Sequence, residues 1–101
     1  MVVFITAPTE EEGVKIAKTL VEEKLAGCIN IIKNVRSIYF WQGKIEDHPE
    51  VLMVVKTRTT LFEELEKRVK SLHSYTVPEI IGIKIEKGSE SYIKWLDEVT
   101  K

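Results

Sequence analysis

The side chains best suited to chemistry lie together in the segment 73–81, between a helix-like stretch and an apolar strand-like stretch. An imidazole (His73), a phenol (Tyr75) and a carboxylate (Glu79) fall within seven residues there. Pro78 biases the preceding residue towards an extended backbone, so the chain leaves the turn in a fixed direction. Polar side chains on a stiff connection predict a ligand site. The structural alternative is that His73 caps the helix, Tyr75 packs, and Glu79 points to water.

A metal is the first ligand that these residue types suggest. Histidine and carboxylate suit borderline metals such as copper or zinc, and a thiolate would add a soft ligand. The sequence therefore predicts a site made of His73, Glu79 and Cys28, completed by water or by another subunit. The alternative for Cys28, the single cysteine, is a small buried side chain at the start of a strand. His48, the other histidine, is predicted to be a solvated loop residue.

Three successive aromatic residues, Tyr39, Phe40 and Trp41, lie in a strand-like stretch. On a strand, Tyr39 and Trp41 share one face and Phe40 takes the other. Their predicted role is packing at a subunit contact, where aromatic residues are enriched. The alternative, a platform on which bases stack, lacks the basic groove that it needs.

Lys56 closes an otherwise apolar strand and is the cation predicted to be partly buried. Either it pairs with a carboxylate such as Glu50 or Glu79, or it binds a small anion. The first alternative is structural and the second is functional.

Composition limits the class of protein. The 101 residues predict a single domain, 1–101, with a hydrophobic fraction of 44% for its core. The net charge of −1 comes with interleaved acidic and basic residues, so nucleic acid is not an expected partner. The longest apolar run, around residues 51–55, is too short to cross a bilayer, and residues 1–5 lack a leader pattern. With one cysteine, the chain is predicted to be cytoplasmic.

Helices are predicted where capping residues precede apolar residues spaced three and four apart. The first begins after the capping box at Thr9, runs to about Ala26, and is stopped by Gly27. The second begins after another capping box at Thr60. A short third helix is capped by Ser89.

Strands are predicted at 2–7, 51–57 and 80–86, with a long β-arm at 28–46 and a polar turn at 47–50. An extended arm of this length would reach roughly 60 Å, more than a compact domain spans. It must therefore bend, fold back, or pair with another chain, which predicts an oligomer.

The predicted order is β-α-β-β-α-β-α. Two β-α-β units with right-handed crossovers onto one antiparallel sheet predict an α+β fold, the ferredoxin-like sandwich with an added C-terminal helix.

Six short motifs stand in order along this chain. They are Thr6-Ala7-Pro8, Ala26-Gly27-Cys28-Ile29-Asn30, Tyr39-Phe40-Trp41-Gln42-Gly43-Lys44-Ile45, Glu50 leading to Lys56-Thr57, residues 73–80, and Tyr92-Ile93-Lys94-Trp95-Leu96. Together they resemble the divalent-cation-tolerance (CutA) family over nearly the whole length.

The resemblance implies a cytoplasmic homotrimer whose β-arms join strands of neighbouring subunits. It also implies a role in tolerance of divalent metals, and copper binding in some members. The sequence itself has no glycine-rich phosphate loop, no Cys-x-x-Cys, no His-Glu-x-x-His and no nucleophile elbow, so an enzyme is not expected. A cleft near the subunit contacts would bind a metal ion or a small anion weakly. Its predicted lining is Trp41, Lys56, His73, Tyr75 and Glu79.

The chain departs from the family pattern at three positions. It has Ser74 where members typically have proline after the histidine. Some copper-binding members have a cysteine and a second histidine where this chain has Ile5 and Leu72. Of that ligand set only Glu79 is retained, so a metal held by His73, Cys28 and Glu79 would be a different site.

Two other functions share the predicted architecture. The likeness to trimeric PII signalling proteins suggests an adaptor that binds a small ligand or a partner protein. An acylphosphatase-like enzyme would need a glycine-rich phosphate loop after the first strand, and Ala7-Pro8-Thr9 does not provide one.

Overall fold

Four strands and three α-helices alternate in the predicted ferredoxin-like order in the computed structural model, which describes residues 1–101. The elements are β1 (Val2–Ala7), α1 (Glu10–Glu22), β2 (Cys28–Trp41), β3 (Lys44–Lys56), α2 (Phe62–Leu72), β4 (Ile80–Ile83) and α3 (Glu90–Val99). The predicted α+β class, including the extra C-terminal helix, is confirmed.

The sheet is antiparallel, with strand order β2-β3-β1-β4. Alternate residues of β1, such as Val3 and Ile5, are fully buried with Leu20 of α1 and Leu65 of α2. The helices therefore cover one face, and β1 is the central buried strand that the sequence predicted. The opposite face is apolar yet open, since Ile81 of β4 is 52% exposed.

The predicted β-arm folds back on itself as a β-hairpin formed by β2 and β3. A two-residue turn joins the strands, and its residues Gln42 and Gly43 have φ values of 48° and 79°. Two positive φ angles characterise a type I′ turn, whose twist matches that of the strands. The pairing slips between Ile32 and Val35, where Asn34 has a φ of 63°. We call the part beyond this bulge, residues 35–50, the hairpin.

The polar turn predicted at 47–50 is wrong, because these residues continue β3 and pair with β2. His48 lies opposite Ser37, so it is a strand residue rather than a loop residue. A proline is unusual inside a strand, because it cannot donate a backbone hydrogen bond. Here β1 ends opposite Val51, so at Pro49 the strand β3 has a neighbour on one side only, which is β2. A strand bordered on one side tolerates proline.

The first helix ends four residues earlier than the predicted Ala26. It ends at Glu22, and Lys24 adopts a left-handed φ of 60°. The backbone amides of Lys24 and Leu25 donate hydrogen bonds to the carbonyl groups of Val21 and Leu20. This pair of bonds is the Schellman motif. Gly27 is therefore not the helix stop. It leaves room for α3, because a Cβ there would lie 2.6 Å from Leu96 Cδ1.

The helix starts follow the predictions in part. Thr9 caps α1 as predicted, accepting a hydrogen bond from the Glu12 amide at 3.1 Å. Thr60 does not cap α2, because a 3₁₀ turn at Thr59–Leu61 leads directly into that helix. Ser89 precedes α3, and its hydroxyl makes no capping bond to the backbone. None of the helices combines the length and the apolar character needed to cross a membrane.

Candidate functional site

His73 anchors the connector, residues 74–79, to the central strand. Its side chain is completely buried. The Nε2 atom lies 2.7 Å from the carbonyl oxygen of Thr6, and Nδ1 lies 3.1 Å from the amide nitrogen of Tyr75. A carbonyl only accepts and an amide N–H only donates, so Nε2 carries the proton and Nδ1 accepts. Both ring nitrogens are therefore used within the protein.

Glu12, in the first turn of α1, holds the next residue of the connector. Its Oε2 accepts hydrogen bonds from the backbone amide and from the hydroxyl of Ser74, both at 3.0 Å. The same oxygen lies 3.4 Å from His73 Nδ1. A helix and a strand thus fix the first residues of the connector.

Tyr75 links the connector to the base of the hairpin. Its hydroxyl donates to Glu50 Oε2 at 2.7 Å, and Glu50 is 7% exposed. Burial raises the pKa of Tyr75, and the neighbouring Glu50 carboxylate and Tyr39 hydroxyl raise it further. No lysine or arginine forms an ion pair with Glu50. The phenol is therefore the donor that satisfies this buried carboxylate.

A groove of about 820 Å³ lies between the hairpin and the connector. Its lining consists of Thr6, residues 36–39, Trp41, Glu50 and residues 74–79. The hairpin contributes aromatic rings, and the connector contributes Tyr75 and Glu79. Partial burial raises the pKa of the Glu79 carboxyl, and the negative charge of Glu50 raises it further. The groove is thus an aromatic cleft with two carboxylates.

The structure brings together three of the five residues predicted to line a cleft. Trp41, Tyr75 and Glu79 line the groove, whereas His73 supports the connector and is not part of the lining. Lys56 is absent from the groove, because it lies six residues along β3 from Glu50, about 20 Å at the usual strand rise.

The predicted pairing of Lys56 with Glu50 or Glu79 is wrong. The Lys56 ammonium donates to the Asn30 side-chain oxygen on the neighbouring strand. The alternative prediction, that Lys56 binds a small anion in the cleft, required this ammonium group to line the groove. The cation that does line the groove is Arg36, whose guanidinium donates to both carboxylate oxygens of Asp47 at 2.9 and 2.6 Å.

The predicted metal ligands do not come together within one chain. Cys28 begins β2 at the end of the sheet near Val2, whereas the His73 imidazole binds Thr6. Val2 and Thr6 are four residues apart on β1, so Cys28 and the His73 imidazole are separated by about 13 Å along the strand direction. No three histidine, cysteine or acidic residues lie close enough to share a metal ion. Glu79 is thus the member of the set that faces the groove.

Glu50 is the groove residue whose place in the site the sequence did not reveal. The sequence predicts a polar turn at 47–50, and Glu50 is its last residue. The sequence feature that could have located Glu50 in a strand is the two-residue turn Gln42-Gly43, which fixes the pairing of β2 with β3. Counting outward from this turn pairs Tyr39 with Glu46 and continues the strand towards Glu50.

Known proteins match the chain over nearly its whole length. The family model described as CutA1 divalent ion tolerance protein matches residues 1–99. The divalent-cation tolerance protein CutA of Thermus thermophilus is 52% identical over 99 residues, 98% of this chain and 96% of that protein. The solved Thermus thermophilus structure has a TM-score of 0.96 at 51% identity, covering 99% of this chain and 97% of its own. An Archaeoglobus fulgidus structure, described as a periplasmic divalent cation tolerance protein, has a TM-score of 0.96 at 46% identity, with coverages of 99% and 97%.

Proposed function

The chain belongs to the CutA1 divalent ion tolerance family, as its motifs indicated, and from this premise we propose that it serves metal tolerance as a homotrimer. In this proposal the groove between the hairpin and the connector holds a divalent cation weakly. The family is named for tolerance rather than for a reaction, so the proposed role is binding and not catalysis.

The observation that carries the metal proposal is the pair of groove carboxylates, Glu50 and Glu79. Neither has a lysine or arginine partner in an ion pair, and the charge of Glu50 adds to the raised pKa of Glu79. A cation between them would relieve this repulsion. Two carboxylates and water make a weak, open site. His73 is not a ligand in this proposal, because both of its ring nitrogens are already bonded.

Metal titration of the purified protein by calorimetry tests this assignment. Copper(II), zinc and manganese(II) are each titrated into wild type, Glu79→Gln and Cys28→Ser. We expect binding to weaken about tenfold in Glu79→Gln, which loses one ligand charge, and to stay unchanged in Cys28→Ser. Glu86→Gln is the matched control, since Glu86 is an exposed carboxylate outside the groove. Wild-type affinity in Glu79→Gln would overturn the proposed site.

The trimer is supported by exposed apolar residues on the hairpin and on the open sheet face. Phe40 is 72% exposed and its cross-strand partner Ile45 is 75% exposed. Contiguous apolar surface and a long edge strand mark surfaces that bind other chains. The threefold arrangement itself comes from the family resemblance.

Solution mass tests the trimer. Light scattering is expected to give three times the 11.6 kDa of one chain. Phe40→Asp is expected to lower this mass, because it places a charge in the apolar contact. Lys18→Glu, on the exposed side of α1, is the control and should leave the mass unchanged. A wild-type monomer at micromolar concentration would overturn the proposal.

A cytoplasmic location is also proposed. Its support is Cys28, an unpaired thiol, which suits a reducing compartment. The Archaeoglobus fulgidus relative is described as periplasmic, which gives the experiment a definite alternative outcome. Cell fractionation followed by detection of the protein tests it, and recovery outside the cytoplasmic fraction would refute it.

A PII-like adaptor is the second candidate function. The observation that favours it is the size of the groove, about 820 Å³, which lies within the range of small-molecule pockets. A thermal-shift screen separates the two functions. Stabilisation by an organic ligand with no response to metals would favour the adaptor.

A further inference from the structure

We propose that the groove recognises an organic cation, a primary ammonium group carried on an aromatic or aliphatic body. This inference shares the groove with the proposed function but does not require a bound metal. It assigns a ligand class to the whole groove, including the walls that a bare ion would not touch.

The charge of the ligand follows from the carboxylates. Glu50 lies at the floor, 7% exposed, and accepts a hydrogen bond from the Tyr75 hydroxyl. The phenol supplies one hydrogen bond but no charge, and a buried carboxylate without a cationic partner is costly, so a positive group would be favoured beside it. Glu79 adds a second acidic group to the lining. An ammonium group offers three donors, enough to bridge both carboxylates.

An anionic ligand does not fit the same surface. Arg36 is the one cation of the lining, and Asp47 already occupies its guanidinium through two hydrogen bonds. An anion would have to displace Asp47 and approach Glu50 and Glu79. The two carboxylates that have no cationic partner, Glu50 and Glu79, therefore favour a positively charged ligand.

The body of the ligand follows from the aromatic walls. Tyr39 and Trp41 lie on the same side of β2, two residues apart, and Tyr75 faces them from the connector. Their rings are still partly open, with Tyr39 37% and Trp41 40% exposed. Aromatic faces attract cations and cover apolar groups, so they suit an ammonium ligand on both counts.

The size of the groove excludes a bare ion as its full occupant. A cation held by two carboxylates would fill only the floor of a space of about 820 Å³. Pockets of this volume hold small organic molecules. The carboxylates at the floor and the aromatic walls therefore favour one ligand that has both a cationic group and an apolar body.

A matched pair of probes tests the proposal on the full chain in its natural assembly, after treatment with a chelator. Phenethylammonium carries the proposed ammonium group, and 3-phenylpropionate has a similar ring and chain with the opposite charge. Binding is followed by the chemical shifts of the backbone amides of residues 75–79 and of the Trp41 indole N–H. We expect saturable binding of phenethylammonium and no saturable shift with 3-phenylpropionate.

Variants assign the binding to the groove. Glu79→Gln is expected to raise the Kd of phenethylammonium about tenfold, and Trp41→Leu about fivefold. Glu86→Gln, outside the groove, should leave it unchanged. Glu79 lies at the surface and is only partly buried, so its replacement is compatible with the fold. Equal binding of both probes, or wild-type affinity in Glu79→Gln, would overturn the proposal.

The outcomes separate this inference from the metal proposal. Ammonium binding without metal binding would support the organic ligand and refute the metal function. Metal binding without ammonium binding would do the reverse. A trimer in which neither probe shifts residues 75–79 would mean that a neighbouring subunit fills the groove, and the inference would be wrong.

Discussion

The Tyr75 hydroxyl donates to Glu50 Oε2 at 2.7 Å and so ties the connector to the base of the hairpin. The two residues lie on opposite sides of the groove and come from distant parts of the chain. Because Glu50 is buried and without a cationic partner, this bond both closes the groove floor and satisfies the carboxylate.

Replacing Tyr75 by Phe should destabilise the protein. The change leaves the Glu50 carboxylate without its phenol donor, at an expected cost of about 1–3 kcal/mol in the free energy of unfolding. Chemical denaturation measures it. Combining the change with Glu50→Gln should recover part of the loss, because a neutral amide costs less to bury. Tyr39→Phe, in the same groove, is the control, and an equal loss there would show that the effect is not specific to the bond with Glu50.

Replacing His73 by Ala should release the start of the connector. The variant loses the hydrogen bonds to Thr6 and Tyr75 and leaves a small cavity, with an expected cost of about 2–4 kcal/mol. Hydrogen exchange at the Tyr75 amide is expected to accelerate beyond the global change in stability. His48→Ala, on the exposed hairpin, should alter neither quantity. Unchanged exchange at Tyr75 would contradict the anchoring role of His73.

Glu79 should make stability fall as the pH rises. Burial and then Glu50 raise its pKa above the ordinary 4.5 in the folded protein. A raised carboxyl pKa means that the folded state binds the proton more tightly. The Glu79 contribution is therefore fully present below the unfolded-state pKa and is lost as the pH rises through the folded-state pKa.

Glu79→Gln tests this sign, because glutamine cannot ionise. Its thermal midpoint is expected to exceed that of wild type at about pH 7, and the gain should shrink towards zero at about pH 4. Glu86→Gln is measured alongside as the control. A gain of the same size at both pH values would show that the effect is not electrostatic.

Replacing Gly27 or Gly43 by alanine should lower the free energy of unfolding, for a different reason at each position. In Gly27→Ala the new Cβ would lie 2.6 Å from Leu96 Cδ1, and overpacking should cost about 1–3 kcal/mol. Gly43→Ala meets no atom within 4 Å but has a φ of 79°, and a left-handed alanine should cost about 1–2 kcal/mol. Hydrogen exchange in α3 is expected to rise in Gly27→Ala alone. A similar rise in Gly43→Ala would contradict this assignment.

Residues whose role depends on local pattern were predicted well. Val3 and Ile5 lie in a short apolar run that reads directly as a buried strand, and Thr9 caps α1 through a contact three residues away. The order of elements then limits the sheet to a ferredoxin-like arrangement. The polar motif at 73–81 is local in the same way, and its residues 74–79 line the groove.

Residues whose role depends on distant pairing were predicted poorly. Glu50 lies in a segment with turn-like composition, yet the pairing of β2 with β3 keeps it in a strand. Lys56 and Glu50 lie on the same strand, and only the position of the connector decides which one reaches the groove. Lys24 ends α1 in a left-handed conformation that its residue type does not predict, so the nearby Gly27 is a misleading signal.

The strand pairings also imply an order of events in folding. The two-residue turn at Gln42 and Gly43 lets the hairpin close at small entropic cost, whereas β1 and β4 pair only when Val2 meets Ile83, near the opposite end of the chain. The connector leads directly into β4, so the groove is complete only after this late and distant closure. A ligand in the groove should therefore slow unfolding and leave the refolding rate unchanged, which stopped-flow kinetics can measure. The same groove that binds the ligand would then set the kinetic lifetime of the native state.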